Sequence, residues 1–538
     1  MSLLRKIDQV ARAIPFSKLA TARLTCESGI AKATHFDIHA DTMSEPSQSQ
    51  LLTTNRKALS INLDPARYGT FAEIGAGQET ARVFFQAGGA AGTIAKTISA
   101  YDMTFSDEIY GKAERYVSRN RLYTMLEREY ELLEQRLGKA ESEKCFFAFA
   151  NTVKTKPYQG PNDAHGWLGV RYQNRHDGEP NEIVMHARMW DESNIEQQHA
   201  IGALGANLLY GAFYYIDQPE KLIESLVDNI GPNRIEIDLI KFSGPDFAEI
   251  ENRIMNLHLV RKGLTQAVLF SPEGKVELAA NALYKRAVLV ERGSFRPVTK
   301  LNIDMLKCAG AQFIQEPALA GKDVIVMAEI TMNNLLAGGE IDYDDFIHRI
   351  DSLATTGNYT LISNYFEFYR LTQYFRRYTN EMIGIAMGIN NLLEVFNDKY
   401  YTHLPGGILE SFGRLFRNAV KLYVYPMKQK AYRHYLEIQA LKNAAPPSSS
   451  LQTEGIAGEL LITCENLRIE TALSNLYRHL LENGYIEHIR GIDESLMDIF
   501  SRDILDGIAR GDTKWETMVP EKTAAFIKEQ QLFGCRSE

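Results

Sequence analysis

The clearest rhythm in the chain begins near residue 232. Short apolar runs at Arg234–Ile240, Gln266–Phe270, Arg286–Glu291, Asp323–Glu329, Tyr359–Ser363, Ile383–Met387 and Lys421–Tyr425 alternate with stretches of helical periodicity. Runs this apolar predict strands buried on both faces. Strands separated by helices predict a mostly parallel sheet with helices on both sides, a Rossmann-like α/β arrangement.

Upstream the pattern differs. Lys144–Val153, Trp167–Tyr172 and Glu182–Met189 read as strands joined by Gly- and Pro-containing turns, which predicts an antiparallel sheet or meander. One further strand is predicted over Thr70–Ile74, a charged amphipathic helix over Arg119–Leu137, and helices over 195–230. Two polar stretches read as linkers, Met43–Gln50 and the AAPPSSS run Ala444–Ser450. The resulting plan is a leader and linker over 1–50, an α+β region with antiparallel strands over 51–231, a Rossmann-like α/β domain over 232–443, a linker over 444–454 and a small helical C-terminal segment over 455–538. No repeat of fixed period interrupts it.

Composition narrows the function classes. The 59 basic and 68 acidic side chains leave a net charge of -9, which argues against a nucleic-acid partner. The five cysteines, at 26, 145, 308, 464 and 535, form no CxxC pair, so neither a disulfide framework nor a zinc site is expected. Free thiols fit a reducing, cytoplasmic setting. No apolar stretch is long enough for a membrane span, so no membrane partner is expected. Met1–Ala22 has basic residues and a helical rhythm without a secretory core. Homo-oligomerisation stays open.

The sharpest candidate chemistry follows the Arg286–Glu291 strand: Gly293, Ser294, Phe295, Arg296, Pro297, Val298 and Thr299, then a helix from Lys300. A strand, a glycine turn and a helix start can seat a phosphate, because glycine admits close approach and the first helical amides are free donors. Asn333, Asn334 and Glu329 lie at the end of the next strand, where open α/β sheets bind ligands. The 364–378 stretch adds aromatics and Arg370, Arg376 and Arg377, suited to a base and a phosphate. The alternation of His35, Asp37, His39 and Asp41 reads as a solvated strand face, and no metal site is assigned.

These residues carry resemblances. GSFRPVT resembles the first motif of nicotinate and nicotinamide mononucleotide adenylyltransferases, with Gly293, Ser294, Phe295, Pro297 and Thr299 matching in position. From about residue 51 onward the chain is also similar to a group of large bacterial proteins carrying that adenylyltransferase label. The resemblance implies a nucleotide ligand, with Gly293, Ser294, Phe295, Thr299 and Arg370 in its seat. It also implies adenylyl transfer from ATP to a mononucleotide with magnesium, and Arg296 and Asn302 facing the transferring group. Asn302 stands where the family carries a histidine, and Arg370 falls two places beyond the arginine of the family's second motif, begun here by Ile362 and Ser363. A second resemblance links Ala72–Gln78, with Gly75 and Gly77, to the first motif of S-adenosylmethionine-dependent methyltransferases, with Asp102 as the ribose-binding acid. A nonenzymatic nucleotide-binding or scaffold protein is the third reading.

Overall fold

The computed structural model describes residues 51–138, 143–160, 162–231, 233–443 and 461–535. Both expected linkers and the His35–Asp41 alternation lie outside the described residues.

The first sheet contains β1 (Arg67–Gly75), β2 (Ile94–Ile98), β3 (Cys145–Lys154), β4 (His165–Tyr172), β5 (Asn181–Met189) and β6 (Ile235–Ser243). Their spatial order is β2-β1-β3-β4-β5-β6. β1 runs parallel to β2 and β3, and the pairs from β3 to β6 are antiparallel, so the expected meander is present. Side-chain alternation gives each face its own core. Phe71, Phe147 and Phe149 pack with Ala58, Phe84 and Leu204 from the helices Thr54–Asn62, Thr80–Ala87 and Asn194–Tyr214. On the other face Ala72, Ala150 and Trp167 pack with Leu122, Met125 and Leu126 of the helix Arg119–Leu137. That helix starts where Ser118 accepts a hydrogen bond from the Arg121 amide.

The second sheet contains β7 (Ala267–Phe270), β8 (Val276–Glu277), β9 (Ala287–Arg292), β10 (Val324–Thr331), β11 (Tyr359–Ser363), β12 (Ile383–Gly388) and β13 (Val420–Tyr425). After the small pair β14 (Met427–Lys428) and β15 (Leu461–Ile462), β16 (Ile486–His488) completes it. The order is β16-β13-β12-β9-β10-β11-β7-β8. β9, β10, β11, β12, β13 and β16 are parallel, and β7 and β8 add an antiparallel edge. The parallel part starts in the middle at β9, steps outward through β10 to β11, then returns to the other side of β9 and steps outward through β12 and β13 to β16. Val288 and Val290 face a core with the helices Phe368–Arg376 and Gly407–Leu415. Leu289 faces the opposite side and the helix Lys300–Phe313. The strands are mostly apolar because both faces are covered.

Two expectations are corrected. The run near Arg234–Ile240 closes the first sheet by pairing with β5 instead of opening the second, so the strand content does not divide at residue 232. Its alternating sequence, with Glu236 and Asp238 between isoleucines and leucine, is that of an antiparallel strand. The C-terminal segment is also not purely helical: it supplies β15 and β16. The described residues from Leu52 on form one compact unit. Its sheets meet across a polar seam, where Arg377 donates to Glu236 at 3.2 Å and the Arg188 guanidinium lies 4.9 Å from the Tyr378 ring centre. Among the described residues no helix is long and apolar enough to cross a membrane.

Candidate functional site

Strand order reverses between β9 and β12, and a sheet of this kind leaves a crevice at the carboxyl ends flanking such a reversal. A cavity of about 190 Å³ lies there. Arg292 ends β9 and Thr331 ends β10; both line the cavity with Asn333 and Asn334. Phe366, Glu367 and Phe368 follow β11, and the helix Ile389–Val395 after β12 adds Asn391 and Glu394. Tyr400 and Tyr401 complete the wall.

A buried ion pair fixes the floor. Glu329 is fully buried, and Arg292 grips both its oxygens, Nε at 2.8 Å and Nη2 at 3.0 Å. Ser363 donates to the same carboxylate at 2.6 Å. The remaining Arg292 nitrogen, Nη1, donates to the Phe366 carbonyl at 2.6 Å, and the guanidinium rests 4.1 Å from the Phe368 ring centre. A bidentate pair of this geometry holds the arginine rigidly and neutralises most of its charge.

The walls are aromatic and acidic. The Phe366 and Tyr400 rings stand 4.5 Å apart at 56°. Glu394 accepts hydrogen bonds from the hydroxyls of Tyr400 at 2.6 Å and Tyr435 at 2.9 Å, and burial with this bond holds the Tyr400 phenol well above its ordinary pKa. The Glu367 side chain is 11% exposed, and its Oε2 has no hydrogen-bond partner. The Arg370 guanidinium lies 3.6 Å from Oε2, and the His403 imidazole 3.9 Å from Oε1. The lining carries no cysteine, histidine or lysine. It offers stacking and hydrogen bonding to a ring or sugar.

The chain is similar over part of its length to several solved structures. These include the competence/damage-inducible protein CihA of Agrobacterium tumefaciens, at 17% identity, covering 30% of this chain and 97% of that one with a TM-score of 0.23. Proteins of the competence-damaged protein (CinA) superfamily from Klebsiella pneumoniae and Enterobacter cloacae are each 14% identical. The first covers 30% of this chain and 95% of its own at a TM-score of 0.22, the second 32% and 99% at 0.23. No protein family model and no curated protein matches the sequence.

The residues expected to seat phosphate border this cleft without lining it. Gly293 donates to the Glu329 carbonyl at 3.0 Å, and its own carbonyl accepts from Asn334 Nδ2 at 2.8 Å. Ser294 is exposed, while Phe295 turns inward with φ +43° and buries its ring beside Val298 and Ile330. Arg296 is spent on Asp345, with Nε 2.5 Å from the carboxylate. Thr299 and Asn302 form a reciprocal cap: Thr299 Oγ1 accepts from the Asn302 amide at 3.2 Å, and Asn302 Oδ1 accepts from the Thr299 amide at 3.1 Å. The Lys300 amide donates to the Met518 carbonyl at 2.9 Å. The helix start anticipated as a phosphate seat therefore has these donors occupied by the protein itself.

Asn302 also points away from the cleft. Its Nδ2 donates at 2.6 Å to Glu291, a fully buried carboxyl that burial pushes up to about 8. Arg370 lies beside the cavity through Glu367, as Gly293 does through Asn334.

The alternative cofactor turn is filled in the same way. Glu73 at the end of β1 accepts from the amides of Thr80 at 2.9 Å and Ala81 at 3.1 Å and from Asn151 Nδ2 at 3.0 Å. Burial pushes its carboxyl up to about 7. Gly75 has φ +73°, and a β-carbon there would stand 2.4 Å from the Val153 carbonyl oxygen; at Gly77 it would meet the Asn151 side chain at 2.1 Å. Both glycines answer to packing. Asp102 caps the helix Met103–Tyr110 by accepting from the Phe105 amide at 2.9 Å.

Sequence reasoning placed Asn333 and Asn334 correctly at a strand end but passed over Arg292, Glu367, Asn391, Glu394, Tyr400 and Tyr401. The charged pair Glu291 and Arg292 closing an otherwise apolar strand was the available signal. It also missed a buried chain at the seam in which His165 Nδ1 lies 3.1 Å from His186 Nε2, and His186 Nδ1 lies 2.5 Å from Asp238. Burial, with His186 and Arg188 alongside, pulls the His165 imidazole down to about 4.

Proposed function

We propose that the protein binds a small-molecule nucleotide in the cleft at the carboxyl ends of β9, β10, β11 and β12, and that this half of the chain is a Rossmann-like domain. The observation that carries the reading is the coincidence of the cavity with the reversal of strand order, lined by aromatic rings, asparagine amides and acidic acceptors.

Adenylyl transfer from ATP to nicotinate or nicotinamide mononucleotide is the enzymatic form of this reading, implied by the GSFRPVT resemblance. Asn334 supports it by lining the cleft while holding the Gly293 carbonyl, which makes the exposed Ser294 turn a neighbour of any bound ligand. Catalysis there would rest on positioning, with magnesium carried by the phosphates. One observation favours binding without transfer: Asn302, in the place of the family's histidine, is pinned between Thr299 and Glu291.

Thermal unfolding against ATP, nicotinamide mononucleotide, NAD and S-adenosylmethionine tests the first claim, since a specific ligand stabilises by mass action. Asn391→Trp, which fills the cavity, is expected to abolish the shift. Pyrophosphate release from ATP with nicotinamide mononucleotide separates the two forms. Stabilisation without release means binding alone, and no shift with any of the four ligands refutes the proposal.

A further inference from the structure

Resting on that reading of the cleft, we infer an orientation and a chemical preference: the ligand enters base and sugar first, and its phosphate stays at the rim against Lys399 and Arg370. Inside the cavity Arg292 is the only cationic lining residue, and Nε, Nη1 and Nη2 of its guanidinium are all committed to Glu329 and the Phe366 carbonyl. Two carboxylates, Glu367 and Glu394, line the same space. A phosphate placed there meets like charge in a partly desolvated site with no uncommitted cation to offset it.

A nucleoside meets complementary groups. Oε2 of Glu367, buried and without a hydrogen bond beside the Arg370 guanidinium, can accept from a ribose hydroxyl or an exocyclic amine. The Phe366 and Tyr400 rings offer faces for a base.

The charge reverses at the mouth. Lys399 is exposed, its ammonium lies 4.6 Å from the ring centre of Tyr400, and it forms no ion pair among the described residues. Arg370, with 42% of its side chain exposed, lies 3.6 Å from Oε2 of Glu367. An acidic interior beneath a basic rim selects a molecule that is neutral and hydroxyl-bearing at one end and anionic at the other.

Isothermal titration of the full chain with adenosine, guanosine, cytidine and uridine and their 5′-monophosphates tests this. At least one nucleoside is expected to bind, with its monophosphate tighter by about fivefold at low salt, the size of an exposed charge pair. Replacing both Lys399 and Arg370 by alanine should erase that advantage. Glu367→Gln should weaken nucleoside and monophosphate alike by about tenfold, the loss of a charge-assisted bond. Circular dichroism melts of each variant check folding. Tighter monophosphate binding by Glu367→Gln, or a monophosphate advantage that survives the double alanine variant, overturns the orientation while leaving the cleft as the binding site. Failure of all eight ligands in the wild-type chain, together with no thermal shift from ATP, nicotinamide mononucleotide, NAD or S-adenosylmethionine, removes the nucleotide reading itself.

Discussion

Replacing Glu291 by glutamine should flatten the dependence of stability on pH over the neutral range. In the fold its carboxyl lies at about 8, against an ordinary value of 4.5, because it is buried beneath the helix Lys300–Phe313 with a single hydrogen bond, from Asn302. The folded protein therefore keeps a proton that the unfolded chain releases. Stability from this group is fully present below the unfolded value and falls as pH rises toward the folded one. Each pH unit in that window removes about 1.4 kcal/mol, so the loss between about pH 5 and about pH 8 is on the order of 3–4 kcal/mol. Glutamine keeps the acceptor for Asn302 Nδ2 and has no proton to lose. Any fixed cost of its amide shifts the whole curve and leaves the slope alone. Urea unfolding of both proteins at pH intervals across the window reads the effect as a difference of slopes. The wild-type slope also contains Glu73, raised to about 7, and the difference between the two proteins cancels it. Parallel curves would refute the idea that Glu291 is held protonated.

The cleft floor and the glycine turn make two further predictions. Arg292→Ala strands the buried Glu329 carboxylate with Ser363 as its remaining side-chain donor, and should cost about 3–5 kcal/mol in denaturant unfolding. Adding Glu329→Ala should recover part of that loss, and a strictly additive double variant would argue against the pair. Phe295→Ala should cost about 3–5 kcal/mol by leaving a cavity beside Val298 and Ile330. Phe295→Gly should be no worse, because φ is +43° at that residue and glycine accepts it without strain; a markedly less stable glycine variant would contradict this.

The strands were legible where the pattern reports a local environment. The Tyr359–Ser363 run is unbroken and buried, and the helix Arg119–Leu137 repeats its apolar positions at three and four residues; both occupy the ranges the pattern predicts. Pairing was less legible, because a strand's own sequence does not name its neighbour. β6 lies close in sequence to the second sheet yet pairs with β5. The Gly293–Thr299 turn shows the same limit at the level of a site. A glycine turn before a helix offers free amides only until the rest of the chain is considered. Here the Lys300 amide meets Met518, more than two hundred residues downstream. The cleft stayed hidden for a related reason. Its lining is drawn from four strand ends and a loop, each unremarkable alone. Arg292 becomes meaningful only beside Glu329, and Glu367 only beside the void.

The position of β16 bears on biosynthesis. The first sheet has all its strands once residue 243 has emerged from the ribosome. The second waits for residues 486–488 to pair with β13, and its central helix waits for Met518. At about 5–20 residues per second this interval lasts many seconds, during which the β13 edge stands unpaired on the nascent chain and the Lys300 amide lacks its acceptor. Ribosome stalling or premature termination late in the message would thus release a chain with one finished layer and one adhesive one, a substrate for chaperones or proteases.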